Sequence, residues 1–196
     1  MEEITMKGKC TALIIGGSAG SLDVLLNVIP KLNVDINFPI IIVLHRKKGT
    51  DSLLTELLAS KSGLRVKEVD EKEKPLPRTV YIAPSDYHLL FEKDGSFSLD
   101  YSEKVNYSRP SIDVVFQSAA EVFTQGLVCL LLSGSNADGV NGLEQVRAYG
   151  GEVWAQNPDS ATVPYMPQQA INMVKIDKVL TIEEMIYNIN ALDNTA

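Results

Sequence analysis

Thr11-Ala12-Leu13-Ile14-Ile15-Gly16-Gly17-Ser18-Ala19-Gly20-Ser21 decides how the rest of the chain is read. Residues 11–15 are a short apolar run that reads as a buried strand. Residues 16–20 read as a tight turn, because glycine lets the backbone reverse in little space. Residues 21–31 then carry Leu22, Leu25, Leu26 and Ile29 at helical spacing. Strand, glycine-rich turn and amphipathic helix make the opening of a βα unit.

The pattern repeats on the C-terminal side. Residues 39–44 form a second strand, rich in Ile and Val. A helix follows over about 52–60, with Leu53, Leu54, Leu57 and Leu58 on one face and Thr50 or Asp51 as its cap. Segments 65–69, 79–83, 88–92 and 96–101 are short and strand-like. Asp94-Gly95 lies between the last two, which predicts a hairpin, expected as an antiparallel extension at the sheet edge. Helical spacing returns over 111–124, then a strongly apolar strand over 126–133. A helix over 140–149, a strand over 152–155, a Pro-rich loop and a short helix from Pro167 follow. Thr181 and Glu184 have capping-box spacing for the last helix. The sequence therefore predicts an α/β fold: a doubly wound, mostly parallel sheet with helices on both faces and an antiparallel edge hairpin. No Gly/Ser/Pro linker is long enough to split the chain, so residues 1–196 are expected to be one domain.

Composition limits the function. The chain has 196 residues, 45% hydrophobic and 22% charged, as ordinary globular proteins do. Lys plus Arg is 18 against 25 Asp plus Glu, a formal charge of -7. That balance argues against a sequence-independent nucleic-acid binder and against a surface drawn to anionic lipid. Arg46, Lys47 and Lys48 form one local basic run. It reads as a solvated charge run, with docking onto an acidic helix face as the alternative. Cys10 and Cys129 belong to no C-x-x-C pair, which speaks against a zinc knuckle, and they read as buried free thiols. The N-terminus lacks the apolar stretch of a signal peptide and no apolar run reaches ~18 residues, so a cytoplasmic protein is expected.

Gly16-Gly17-Ser18-Ala19-Gly20 fits G-x-S-x-G between a strand and a helix. A serine at that turn projects its hydroxyl from the end of the sheet, and the following helix offers unpaired N–H groups to developing negative charge. The Ala19 amide is a natural oxyanion donor. A phosphate or dinucleotide site is the competing reading of such a turn. The stretch is not G-x-G-x-x-G, however, and it lacks the lysine of a P-loop. His45 ends the second strand, and the chain has only one other histidine, His88, at the start of a short strand. Parallel neighbours bring their carboxyl ends side by side, so His45 can reach Ser18. Asp138 leaves the apolar strand over 126–133 on the same edge, where it can orient the imidazole, cap a helix or simply turn the chain. The order Ser18, His45, Asp138 differs from the Ser, acid, His order of the ordinary α/β-hydrolases.

With these residues in view, the chain resembles the catalytic domain of the chemotaxis protein-glutamate methylesterases (CheB) over about residues 11–180. The matching pieces begin with Ile14-Ile15-Gly16-Gly17-Ser18-Ala19-Gly20, His45 after its strand, and Val80-Tyr81-Ile82-Ala83-Pro84. They continue with Arg109-Pro110-Ser111-Ile112-Asp113-Val114 and Ser133-Gly134-Ser135-Asn136-Ala137-Asp138-Gly139. Ala155-Gln156-Asn157 and Met166-Pro167-Gln168-Gln169-Ala170-Ile171 complete them. The resemblance implies a Ser18–His45–Asp138 triad without cofactor or metal. It implies demethylation of glutamate γ-methyl esters on the cytoplasmic helices of chemoreceptors, and deamidation of receptor glutamines. A catalytically weak or inactive receptor-binding relative, or a hydrolase of another ester, stays open beside it. The chain departs from the family at Ser21, where a glycine is usual, and at Arg46 and Ser135, where methionine is usual. Arg46 and Ser135 are expected at the substrate. The family's regulated members carry an N-terminal receiver domain. The match here opens near residue 11, so the expectation is a catalytic domain whose regulator, if any, is a separate protein.

Overall fold

The computed structural model describes residues 9–46, 49 and 51–194. Nine strands and six α-helices alternate along most of these residues. They run β1 (Ala12–Gly17), α1 (Ser21–Val28), β2 (Ile40–Leu44), α2 (Asp51–Lys61), β3 (Arg65–Glu68), β4 (Thr79–Ile82), β5 (His88–Phe91) and β6 (Phe97–Asp100). They continue as α3 (Ile112–Phe123), β7 (Leu127–Leu131), α4 (Val140–Ala148), β8 (Glu152–Gln156), α5 (Tyr165–Met173), β9 (Lys178–Leu180) and α6 (Ile182–Ala191). Seven strands form a parallel sheet in the order β3-β4-β2-β1-β7-β8-β9. The hairpin β5–β6 forms as expected, but as a two-stranded sheet of its own packed near α3, not as strands added to the edge. The edges are taken by β3 and by β9, a strand that the sequence reading left out.

β1 shows why the sheet sits where it does. All six of its residues are buried. Leu13 and Ile15 point into one core, shared with Val24, Leu25 and Leu58, while Ala12 and Ile14 point into the other, shared with Phe116, Ala119 and Leu143. A strand with apolar side chains on both faces has to be covered on both, and the period of two sends alternate residues to opposite cores. Each fully buried Leu, Ile or Val contributes about 1.5–3 kcal/mol. One face of the sheet is covered by α1, α2 and α6, the other by α3, α4 and α5.

Helix ends follow local chemistry. α1 begins after Gly20, whose φ of 84° is left-handed and favours glycine. Thr181 and Glu184 make the full capping box of α6. α2 contains the expected stripe only in part. Leu54 and Leu58 are buried, but Leu53 is 68% exposed, because the four-leucine stripe is wider than the surface it covers. Asp51 is the first residue of α2, and Thr50, the other cap considered, lies outside the described residues with Lys47 and Lys48. Both cysteines are buried free thiols.

Strand order reverses at β1. Succession to β2 and β4 runs one way across the sheet, and β7, β8 and β9 run the other. At such a point the loops leaving the carboxyl ends of neighbouring strands diverge and open a crevice.

Candidate active site

Ser18 follows β1 at that crevice. Its amide donates to the Ser133 carbonyl at 2.9 Å and to Ser21 Oγ at 3.2 Å. Ser133 in turn donates its hydroxyl to the Ala19 carbonyl at 2.6 Å and accepts from the Val163 amide at 2.9 Å. The turn is thus fastened to the end of β7 and to the loop before α5. Ser21 is buried, and its hydroxyl donates to the Ser133 carbonyl at 2.7 Å. Ala19 is exposed and stands just before Gly20, the N-cap of α1.

The β1–β2 register brings His45 beside Ser18. Gly17 pairs with Leu44, and the His45 amide donates to the Gly17 carbonyl at 3.2 Å. Ser18 and His45 are therefore the next residues off two adjacent strands, which run about 4.8 Å apart.

Asp138 comes from the loop between β7 and α4, and it does not cap α4. Gly139 is the N-cap of that helix and makes no side-chain cap bond. The Asp138 carboxylate instead sits on the first turn of α3, 1% exposed. Oδ2 accepts from His45 Nε2 at 2.7 Å and from the Ile112 amide at 2.7 Å. Oδ1 accepts from Ser111 Oγ at 2.9 Å, the Asp113 amide at 3.1 Å and Asn106 Nδ2 at 3.1 Å. Burial alone would push this carboxyl up. The bonds from His45, from the Ile112 and Asp113 amides and from Asn106 outweigh it and hold the group below the usual carboxylate value. The positive end of α3 acts in the same direction. Asp113, also buried, goes the other way. Desolvation pushes it up, against the Gly142 amide that donates to it at 2.6 Å, and the nearby charge of Asp138 adds to the rise.

The ring geometry fixes which nitrogen is available. Nε2 of His45 is spent on Asp138, which leaves Nδ1, the nitrogen nearer the backbone, for a second partner. His88, the other histidine, is buried one residue removed, behind Ser111. Its Nε2 donates to the Glu103 carbonyl at 2.8 Å and its Nδ1 accepts from the Ser111 amide at 3.2 Å. Its role is to brace the turn before α3.

The remaining expected residues are less central. Arg46 is half-buried, and its Nη2 donates to the Ala83 carbonyl at 2.6 Å, at the end of β4. Ser135 is exposed on the loop that carries Asp138. The sequence reading assigned no role to Asn106, Ser111 or Gln156, whose Oε1 accepts from the Ser133 amide at 2.9 Å. Ser111 had a local signal, since serine before a helical run is a cap, and its hydroxyl accepts from Val114 at 3.5 Å. Gln156 lay within the matching piece Ala155-Gln156-Asn157, whereas Asn106 had no signal, because its partner Asp138 is distant in sequence.

Comparison with known proteins adds an independent line. A family model described as CheB methylesterase matches residues 13–189. A Leptospira interrogans protein named "Putative protein-glutamate methylesterase/protein-glutamine glutaminase" is 39% identical over 174 residues, covering 89% of this chain and 90% of that one. A Thermotoga maritima protein named protein-glutamate methylesterase/protein-glutamine glutaminase is 37% identical over 171 residues, covering 86% of this chain. The match spans only 50% of the length of that relative. The crystal structure of the Thermotoga maritima CheB methylesterase catalytic domain superposes with a TM-score of 0.90 at 34% identity, covering 94% of this chain and 100% of that one.

Proposed function

We propose that this chain, which belongs to the CheB methylesterase family, is a serine hydrolase of glutamate γ-methyl esters on chemoreceptors, working through Ser18, His45 and Asp138. The observation that carries the reading is the 2.7 Å bond from His45 Nε2 to Asp138 Oδ2, set beside Ser18 by the Gly17–Leu44 register. The names of the relatives support the substrate class, and they also support hydrolysis of glutamine side chains. No helix among the described residues is long and apolar enough to cross a membrane. The methylated substrate is taken to be met in the cytoplasm, on the receptor helices.

The chemistry runs in two halves. Ser18 Oγ attacks the ester carbonyl, and its proton passes to His45 Nδ1. The carbonyl oxygen becomes an oxyanion, for which the Ala19 amide ahead of α1 is the donor. Asp138 stays ionised against the imidazolium formed at that moment, and its depressed proton affinity suits the task. The tetrahedral intermediate collapses, the C–O bond to methanol breaks, and methanol leaves with the proton from His45. Water then attacks the acyl-enzyme and gives a proton to His45; the bond to Ser18 Oγ breaks, that oxygen takes the proton back from His45, and glutamate is released. With glutamine the leaving group is ammonia. Arg46 and Ser135 are assigned to substrate contact, as the residues next to His45 and on the exposed part of the Asp138 loop.

The test is methanol release from methylated receptor. Ser18→Ala is expected to lower kcat by roughly 10⁴-fold or more. Equal rates for the variant and the wild type would remove Ser18 from the reaction.

A further inference from the structure

We propose that Asn106 is a positioning residue for Asp138, holding that carboxylate through Oδ1 while separating it from a second buried carboxylate, Asp113. The proposal rests on the hydrolase reading above. Asn106 Nδ2 lies 2.9 Å from Asp113 Oδ2 and 3.1 Å from Asp138 Oδ1. An amide NH2 has two hydrogens, so it serves both oxygens at once. The opposite amide orientation is excluded by the surroundings: a carbonyl oxygen there would face two acceptors.

The need for such a group is electrostatic. Asp113 and Asp138 are 4% and 1% exposed. Like charges interact strongly where water is excluded. Asp113 Oδ1 is served by the Gly142 amide. Its Oδ2 faces Asn106, the same amide that reaches Asp138. A neutral donor between the two acids lets Asp138 remain ionised without being turned by its neighbour. Without the amide, Oδ1 keeps Ser111 Oγ and the Asp113 amide, but the repulsion is uncovered. The carboxylate can then swing away from His45.

The loop is built to deliver this side chain. Asn106 and Tyr107 have φ values of 50° and 62°, two left-handed residues in succession. Asparagine is among the few side chains that adopt this conformation readily. The turn is closed by mutual backbone bonds between Val105 and Ser108 at 3.1 and 2.9 Å. Its C-terminal limb is anchored by Arg109, which donates to the Ser102 carbonyl at 2.7 Å and to Asp86 Oδ1 at 2.6 Å. The Arg109 guanidinium also lies 3.8 Å from the centre of the Tyr101 ring. Asn106 and Tyr107 are both exposed, Tyr107 at 98%, and the Asn106 amide reaches back from the tip to the two buried carboxylates.

The experiment uses Asn106→Gly, because glycine keeps the left-handed backbone and removes only the amide. Two rates are measured on the full chain: labelling of Ser18 by a fluorophosphonate, and kcat and KM for methanol release. Loss of one hydrogen bond to a charged group predicts a fall of about ten- to hundredfold in kcat and in labelling, with KM within about twofold. Asn106→Asp, isosteric but anionic, should fall further. Tyr107→Gly, which relaxes the same turn, should label at the wild-type rate. Wild-type labelling by Asn106→Gly, a loss carried by KM alone, or an equal loss in Tyr107→Gly would each overturn the proposal while leaving the hydrolase reading intact. Failure of the wild type itself to be labelled at Ser18 would overturn both.

Discussion

Gly16 and Ile112 pack against each other with no space for a methyl group: a Cβ on Gly16 would lie 2.5 Å from Ile112 Cγ2. The same Ile112 donates its amide to Asp138 at 2.7 Å. The strand that delivers Ser18 and the helix that holds Asp138 are therefore in contact here, and glycine sets their separation at this position.

Gly16→Ala should push α3 outward. Overpacking of this kind costs about 1–3 kcal/mol, seen as a lower Tm. Because Ile112 moves with α3, kcat should fall even in the fraction that is folded. Thermal melts and kcat at a temperature well below the transition test this. An unchanged Tm would mean that the sheet–helix contact yields easily.

Asp138→Asn keeps the shape of the side chain but replaces an acceptor oxygen with a donor. That NH2 would meet either the amides of α3 or His45 Nε2–H, and the imidazole would lose the partner that fixes its tautomer. The expected loss in kcat is about 10⁴-fold. A loss of less than tenfold would take Asp138 out of the mechanism.

Asp138 also links stability to pH. Its proton affinity in the folded chain lies below the ordinary carboxylate value of 3.8. The unfolded chain therefore binds this proton first as the pH falls. The stabilisation is complete above 3.8 and is lost as the pH drops through the lower, folded value. The difference in Tm between wild type and Asp138→Asn should accordingly be largest near neutrality and shrink below pH 3.8. A difference constant down to strongly acid pH would contradict this.

Ser111 both caps α3 and donates to Asp138. Ser111→Gly should keep most of the capping, since glycine at an N-cap costs only a few tenths of a kcal/mol, whereas Ser111→Ala costs roughly 0.5–2 kcal/mol. Both lose the hydroxyl at Asp138 Oδ1. Equal loss of kcat with unequal Tm is the expected pattern. Parallel changes in both quantities would assign the residue to the helix alone.

The sequence made the sheet and its carboxyl end legible because strand periodicity and helix spacing are local. Ser18, His45 and Asp138 could be placed on one edge for the same reason: each follows an apolar strand. What holds Asp138 was not legible. A carboxylate before Gly139 reads as a turn or as the cap of its own helix, yet it docks on α3, whose first residues precede it in the chain by more than 20 positions. The independence of β5–β6 was equally hidden, because a hairpin signal gives pairing between its own strands and says nothing of a third. Strand β9 is three residues long, too short for any periodicity.

The docking of Asp138 on α3 also gives the site a clock. The amides of Ile112 and Asp113 are bonded to Asp138. They can exchange with deuterated solvent only when that carboxylate departs. Their exchange times report how often the acid leaves the imidazole, separately from any turnover. A tetrahedral-intermediate analogue on Ser18, which keeps the ring protonated, would lengthen those times.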